Sequence, residues 1–250
     1  MAMDQTDASL DGGDIARVHA AAERYRNWGR WGPDDQLGTV NYITPQRVRD
    51  ASRLVERGAI FSLAIAFDEQ GPQRAGGRFN PILAMRSAGT DFASGARSNP
   101  SGIGAADDMI TMPLQCATHW DALSHIFDRG RMWNGYSAAE VTSFGAQRNG
   151  VERLRDRIAG RGVLLDIARS RGVDWLPPGY AITEEDLTGC LAREGVEVLA
   201  GDVALVRTGQ LGYCKAHGWG DYAGGDAPGL SFSTADWLYR TQIAAVASDT

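Results

Sequence analysis

Apolar residues recur along this chain with two different periods, and the change from one to the other marks its elements. In IARVHAAAERYRNW (15–28), Ile15, Val18, Ala22 and Tyr25 share one helical face, while His19 falls off that stripe and is expected at the surface. TPQRVRDASRLVERG (44–58) predicts a second helix, with Thr44 as N-cap, Pro45 at the first position and Gly58 just past the end. AIFSLAIAF (59–67) alternates and predicts a strand. GRGVLLDIA (160–168) and GDVALVRTG (201–209) are glycine-led apolar runs ending on a polar residue, the pattern of buried strands. Between them, TEEDLTGCLAREG (183–195) opens on Thr183 as a cap and closes on Gly195, as a helix does. Strand, helix and strand at this separation predict a βαβ unit and a partly parallel sheet. STADWLYRTQ (233–242) predicts a further helix and IAAVASDT (243–250) a last strand.

Two stretches break both periods. NWGRWGPDDQLGTVNYITP (27–45) is interrupted by glycine and proline, yet carries two tryptophans that are costly to leave in water. It predicts a packed irregular segment. Residues 68–108 are rich in Gly, Pro, Ser and Arg and read as long loops with one short strand near 82–85, a length at which loops are usually functional or mobile. The first residues, 1–13, are small and acidic and are expected as a disordered tail, which leaves 14–250 as a single α/β domain. The apolar run closing on Ser248, Asp249 and Thr250 resembles an interior strand leaving a sheet, so the sequence is expected to be a fragment.

Composition narrows the function. A net charge of −6 with no run of five or six like charges gives no electrostatic footprint for nucleic acid or for a membrane surface. No apolar run approaches the roughly 18 residues of a membrane span, and the acidic start is not a signal peptide. Cys116, Cys190 and Cys214 are too few and too scattered for a disulfide framework and are expected as reduced thiols in a cytoplasmic protein.

The candidate chemistry lies in QCATHWDALSH (115–125), which holds two of the chain's four histidines with an aspartate between them. Imidazole and carboxylate are ready ligands for divalent transition metals. Residues two apart on a strand share a face about 6.6 Å apart, so His119 and Asp121 could reach one metal. Gln115, about 13 Å from His119 in a straight strand, joins only if the chain bends. Asp121 and His125 are four apart, one face of a helical turn. The spacing therefore predicts a strand through 119–121 that turns into a helical segment through His125. Chance placement of two histidines is the plainer alternative.

QCATHWDALSH resembles the HxGTHxDxPxH motif of the cyclase family of metal-dependent hydrolases, which includes bacterial kynurenine formamidases and isatin hydrolases. NWGRWGPDDQLGTVNYITP, RGVLLDIA, GDVALVRTG and PGLSFSTADWLYRTQIAAVASDT are similar to a longer branch of that family, in the same order. The resemblance implies a swivelling β/β/α fold with a mixed sheet, a divalent zinc or manganese, and arylformamidase-like hydrolysis of a small N-formyl or cyclic amide by metal-activated water. It implies metal ligation by His119 and Asp121, with Gln115 standing where the commonest motif has a ligand histidine, and a second-metal or general-base role for His125. Ala117 and Leu123 replace the motif's glycine and proline, changes of backbone freedom rather than ligand chemistry. A histidine and a glutamate that the family usually supplies further on are absent from this sequence. The resemblance also implies a homo-oligomer with a small-molecule substrate. The competing reading is a non-catalytic binding or scaffold protein with a decayed or truncated site, which Gln115 favours and the retained His119, Asp121 and His125 oppose.

Other residues carry weaker expectations. Tyr42, Phe79 and the tryptophans are candidates for stacking on an aromatic substrate, with core packing as the plainer alternative. Arg74, Arg78 and Arg86 could steer an anion or simply cover a surface. His217 reads as a solvated loop residue and Cys116 as a small buried one. Asp166 is expected to cap a neighbouring helix or bind a partner group.

Overall fold

The computed structural model describes residues 12–73 and 77–250; the expected tail lies almost wholly outside the described residues, as does Arg74. Helix α1 (Gly12–Tyr25) forms close to the expected 15–28 but starts and ends three residues earlier, taking in the last residues of the expected tail. It is only lightly covered, with Ile15 and Val18 both exposed. Its end is pinned to α7 (Ala235–Thr241) by Tyr25, whose hydroxyl donates to Asp236 at 3.1 Å. Helix α2 (Pro45–Ser52) starts on Thr44, whose hydroxyl accepts from Arg47 N, and stops well before Gly58. Arg53 ends it, because the residues beyond gain no tertiary surface: Leu54 and Val55 are exposed.

The middle of the chain is built from small pieces. Strands β1 (Ile82–Ser87) and β2 (Asp107–Thr111) pair antiparallel around the short helix α3 (Gly89–Ala93). The stretch 82–108 is thus more ordered than its composition suggests. By contrast, 59–67 forms no strand. Alternation marks a face that could be buried, but a strand also needs a ladder partner. Among the described residues, the one bond from this segment to a distant residue runs from Ile65 N to Thr118 Oγ1 at 2.7 Å, and Ile60 and Phe61 lie exposed. The two-residue strands β3 (Val141–Thr142) and β4 (Gly145–Ala146) close a small hairpin.

The principal sheet is parallel, in the order β5 (Gly162–Asp166), β7 (Val203–Arg207), β9 (Ala245–Ser248). Gly162 pairs with Val203, and Val203 with Ala245. The first crossover carries α4 (Ile167–Ser170), β6 (Ala181–Ile182) and α5 (Glu184–Glu194). The second carries α6 (Gln210–His217), β8 (Gly229–Leu230) and α7, with β6 and β8 pairing in parallel. The expected βαβ unit is present. The expected mixed sheet is not found among the described residues: antiparallel pairing lies in the separate hairpins and in isolated bridges of Arg131 to Asp128 and Ser137, and every strand of the principal sheet runs the same way.

Helix α5 shows why its sequence was readable. Thr183 accepts from Asp186 N, Asp186 accepts from Thr183 N at 2.9 Å, and Gly195 ends the helix at φ 65°. The core packs on one face of the principal sheet, where Val163, Leu165, Ala204 and Val206 meet Leu187 and Trp237. Burying a side chain such as Leu165, fully enclosed, contributes about 1.5–3 kcal/mol. The other face is not covered in the same way, since Leu164 is 54% exposed. Parallel sheets usually bury both faces; here the second face floors a cavity.

Candidate metal centre

Residues 115–125 form a loop held at several points. Cys116, fully buried, anchors it, and its backbone N donates to Pro113 O at 3.1 Å to make the bend that brings Gln115 back. Gln73 Nε2 donates to Cys116 O, and Thr118 accepts from Ile65 N. Farther along, Ser124 N donates to Asn149 O, and His125 N closes a turn onto Ala122 O at 2.9 Å. Leu123 seats beside Gly38, where an added Cβ would lie 3.2 Å from Leu123 Cδ1. The helical segment expected through His125 does not form: 123–124 make only a hydrogen-bonded turn, and 119–121 is irregular chain rather than strand. The site is therefore not strung along one regular element.

The bend brings the four predicted side chains together. His119 Nε2 lies 3.2 Å from Asp121 Oδ1, and His119 Nδ1 lies 2.7 Å from Ala117 O. A carbonyl oxygen only accepts, so Nδ1 carries a proton, and in neutral imidazole Nε2 then presents its lone pair to the Asp121 carboxylate. Two lone pairs facing each other at that distance need a cation or a proton between them. A metal-ligating histidine usually donates its other ring N–H to a carbonyl or carboxylate, as His119 does to Ala117. Two ligands each about 2.0–2.2 Å from a zinc at tetrahedral angles lie about 3.3 Å apart, so the His119–Asp121 pair fits such an ion.

Gln115 sits differently. Its Nε2 donates to Asp121 Oδ1 at 2.9 Å and lies 3.0 and 3.1 Å from the two ring nitrogens of His125, while its Oε1 accepts from Arg78. It thus turns toward the cluster an amide nitrogen that has no lone pair to give. Among the described residues, no three His, Cys, Asp or Glu side chains are grouped so as to hold a metal by themselves. The donor types fit a divalent metal, and the His119–Asp121 pair fits in geometry; a third protein ligand is not in position. His119 and Asp121 are partly open to solvent, with side chains 34% and 53% exposed, as a site that admits substrate requires.

Gln115, His119 and Asp121 line the edge of a cavity of about 940 Å³. Its floor is the second face of the principal sheet, through Leu164, Leu205 and Ala247. The aromatic lining is Trp120, one of the tryptophans expected as stacking candidates, and Tyr222, which the sequence did not single out. Burial, with the Asp249 charge, pushes the Tyr222 phenol up to about 12, so it is neutral at physiological pH. Tyr42 instead packs edge-on to Trp31 at 5.1 Å, and neither it nor Phe79 lines the cavity. Arg86 pairs with Asp107 at 3.3 Å and is a surface residue. His19 is paired loosely with Asp128, and His217 ends α6 stacked on Tyr213 rather than lying in a loop. Asp166 caps α4 by accepting from Arg169 N and also takes Arg207 at 2.7 Å. All three cysteines are free and buried, and burial raises the Cys190 and Cys214 thiols.

Fold and cluster define a class: an α/β protein whose parallel sheet floors a cavity edged by imidazole, carboxylate and amide groups. A family model described as "Putative cyclase" matches residues 30–250, and the chain belongs to that cyclase family. The solved structure of a novel cyclase is similar at 39% identity and a TM-score of 0.85, over 91% of this chain and 76% of that one. Isatin hydrolase A from Labrenzia aggregata, bound to benzyl benzoate, shares the fold at 16% identity and a TM-score of 0.52, over 81% of this chain and 73% of its own. No curated protein matches. Among the described residues no helix is long and apolar enough to cross a membrane.

Proposed function

We propose that the protein is a metal-dependent hydrolase of a carbon–nitrogen bond in a small N-formyl or cyclic amide, arylformamidase-like, with the swivelling β/β/α arrangement of such enzymes. The observation that carries this reading is the His119–Asp121 pair, with His119 fixed through Nδ1 on Ala117 O, at the edge of an open cavity. His119 and Asp121 hold zinc or manganese; Gln115 completes the set if its amide turns Oε1 away from Arg78. A bound divalent ion supplies a Lewis acid and a water acidified toward neutrality.

The chain's own residues do the rest. His125 accepts from Gln115 at one ring nitrogen, so in the neutral ring the other nitrogen carries a proton. When Gln115 turns, the ring nitrogen it faced is free to take the proton of the attacking water, and the imidazolium so formed gives a proton to the departing amine, which makes His125 the acid–base group. The sheet floor of Leu164 and Leu205 keeps water from one side of the substrate. A homo-oligomer accords with the exposed apolar hairpin residues Leu83, Met85 and Met109. A cytoplasmic setting accords with the three free cysteines.

Elemental analysis of the purified wild type, His119→Ala and Asp121→Ala tests the reading, together with formamide hydrolysis. Near-stoichiometric metal in the wild type, lost in both variants along with hydrolysis, is the expected result. No metal in the wild type after reconstitution would instead favour a binding protein whose Gln115 amide bridges Asp121 and His125 permanently.

A further inference from the structure

The cavity also contacts α6, through Leu211, Gly212 and Lys215. Lys215 is the chain's sole lysine among 25 basic residues. The start of α6 is firmly placed. Gly209 enters it at φ 84°, where a Cβ would lie 2.2 Å from Asp174 O, so no other residue fits without displacing backbone. Asp249, at the end of β9, accepts from Thr208 N, Thr208 Oγ1 and Gly209 N at 2.6, 2.7 and 2.9 Å.

The other charged side chains of the cavity wall are occupied. Arg207 pairs with Asp166, Arg78 donates to Gln115, and Asp121 accepts from Gln115 and faces His119. Asp249 is taken by the three donors of the α6 turn. Among the described residues, Lys215 has neither a hydrogen-bond acceptor nor an ion-pair partner. It is an exposed side chain on the wall of a cavity with an apolar floor, and its ammonium is unpaired. A single point charge with three donors matches the one negative charge of a monoanionic group such as a carboxylate.

We propose that Lys215 receives the carboxylate of an anionic substrate, so that the cavity selects carboxylated amides over neutral ones. This rests on the hydrolase reading for the word substrate, but the anion site can be tested without turnover. Three proteins are compared: wild type, Lys215→Met, which keeps the stem without the charge, and Lys215→Arg, which keeps the charge. Two readouts are taken. One is the ratio of kcat/KM for 2-formamidobenzoate to that for formanilide, a pair differing only in the carboxylate. The other is the Kd of benzoate, followed by calorimetry.

Lys215→Met should lower the selectivity ratio about tenfold, mainly through KM, and weaken benzoate about tenfold, as removal of a charge-assisted hydrogen bond does. Lys215→Arg should restore most of both. An unchanged ratio and an unchanged benzoate Kd in Lys215→Met would overturn the proposal while leaving the hydrolase reading standing. Failure of benzoate to bind the wild type would also overturn it. Lys215-dependent benzoate binding in a protein that cleaves neither formamide would support the anion site and sink the hydrolase reading.

Discussion

Asp249→Ala should be among the most damaging single changes outside the core. The carboxylate accepts three hydrogen bonds, from Thr208 N, Thr208 Oγ1 and Gly209 N. Thr208 is fully buried, so its N–H and hydroxyl have no route to water once the acceptor is removed. A buried donor left unsatisfied costs about 1–3 kcal/mol, and bonds to a charged acceptor contribute about 1.5–3 kcal/mol each without being additive. The expected loss is about 3 kcal/mol, or roughly 6–12 °C in Tm for a chain of this size. Asp249→Asn separates the contributions. Its Oδ1 can still serve Thr208, but its amide nitrogen then meets the Gly209 N–H donor to donor, so a loss of about 1 kcal/mol is expected.

Urea unfolding at neutral pH measures both variants, with Thr208→Val added for a double-mutant cycle. Asp249 and Thr208 should couple by about 1 kcal/mol or more, since they share one network. A loss below about 1 kcal/mol for Asp249→Ala, with no coupling to Thr208, would refute the clamp. Lys215 would then have no fixed perch.

Three further outcomes are expected. Leu165→Ala should cost about 3 kcal/mol, whereas Leu164→Ala, its neighbour on the cavity face, should cost under about 1 kcal/mol; similar losses in urea titrations would contradict the one-sided burial of β5. Burial alone would raise the Asp186 carboxyl, but hydrogen bonds from Thr183 N, Arg171 and Tyr180 outweigh it and hold it below the ordinary value. Its folded pKa being depressed, its contribution is fully present above the unfolded value of about 3.9 and is lost as pH falls through the lower folded pKa. Asp186→Asn should therefore cost about 2 kcal/mol at neutral pH and progressively less below about pH 4, and equal urea midpoints for variant and wild type at pH 7 would exclude this. Gln115→His should increase zinc retention against a chelator, because imidazole supplies the lone pair that the amide nitrogen lacks; unchanged retention would place position 115 outside the ligand set.

The second half of the fold was legible because local and tertiary requirements agree there. Thr183, Asp186 and Gly195 bracket α5 by chemistry that operates within the helix itself. The runs at 160–168 and 201–209 combine β-branched or leucine side chains with glycine at the entry, and they pair in parallel as the intervening helix demands. Elsewhere a sequence pattern could not report a partner. The alternation of 59–67 is regular, yet among the described residues no neighbouring strand is there to complete it. Strand β2 was missed for the opposite reason: DDMIT opens on two acids and is too short to show a period, and its pairing with β1 decides its state. The apparent extension of α2 to Gly58 failed because apolar periodicity stabilises a helix only where something covers its face, and Leu54 and Val55 are uncovered.

At the site, spacing revealed the participants but not their roles. The intervals of two and four between His119, Asp121 and His125 did bring these groups together, although through a loop rather than a strand. What spacing could not convey is direction. Ala117 O, only two residues from His119, fixes which imidazole nitrogen is free, and so which atom meets Asp121. Arg78, remote in sequence, fixes which end of the Gln115 amide faces inward. A basic residue from a segment that read as loop thus decides whether a candidate ligand offers oxygen or nitrogen. The same reasoning applies to Lys215. Its type was plain in the sequence, but its lack of a partner emerges only when Asp249 is seen to be taken by the turn that carries α6. Competence at this cavity therefore depends on which neighbours have already claimed each polar atom, and that allocation is a property of the fold.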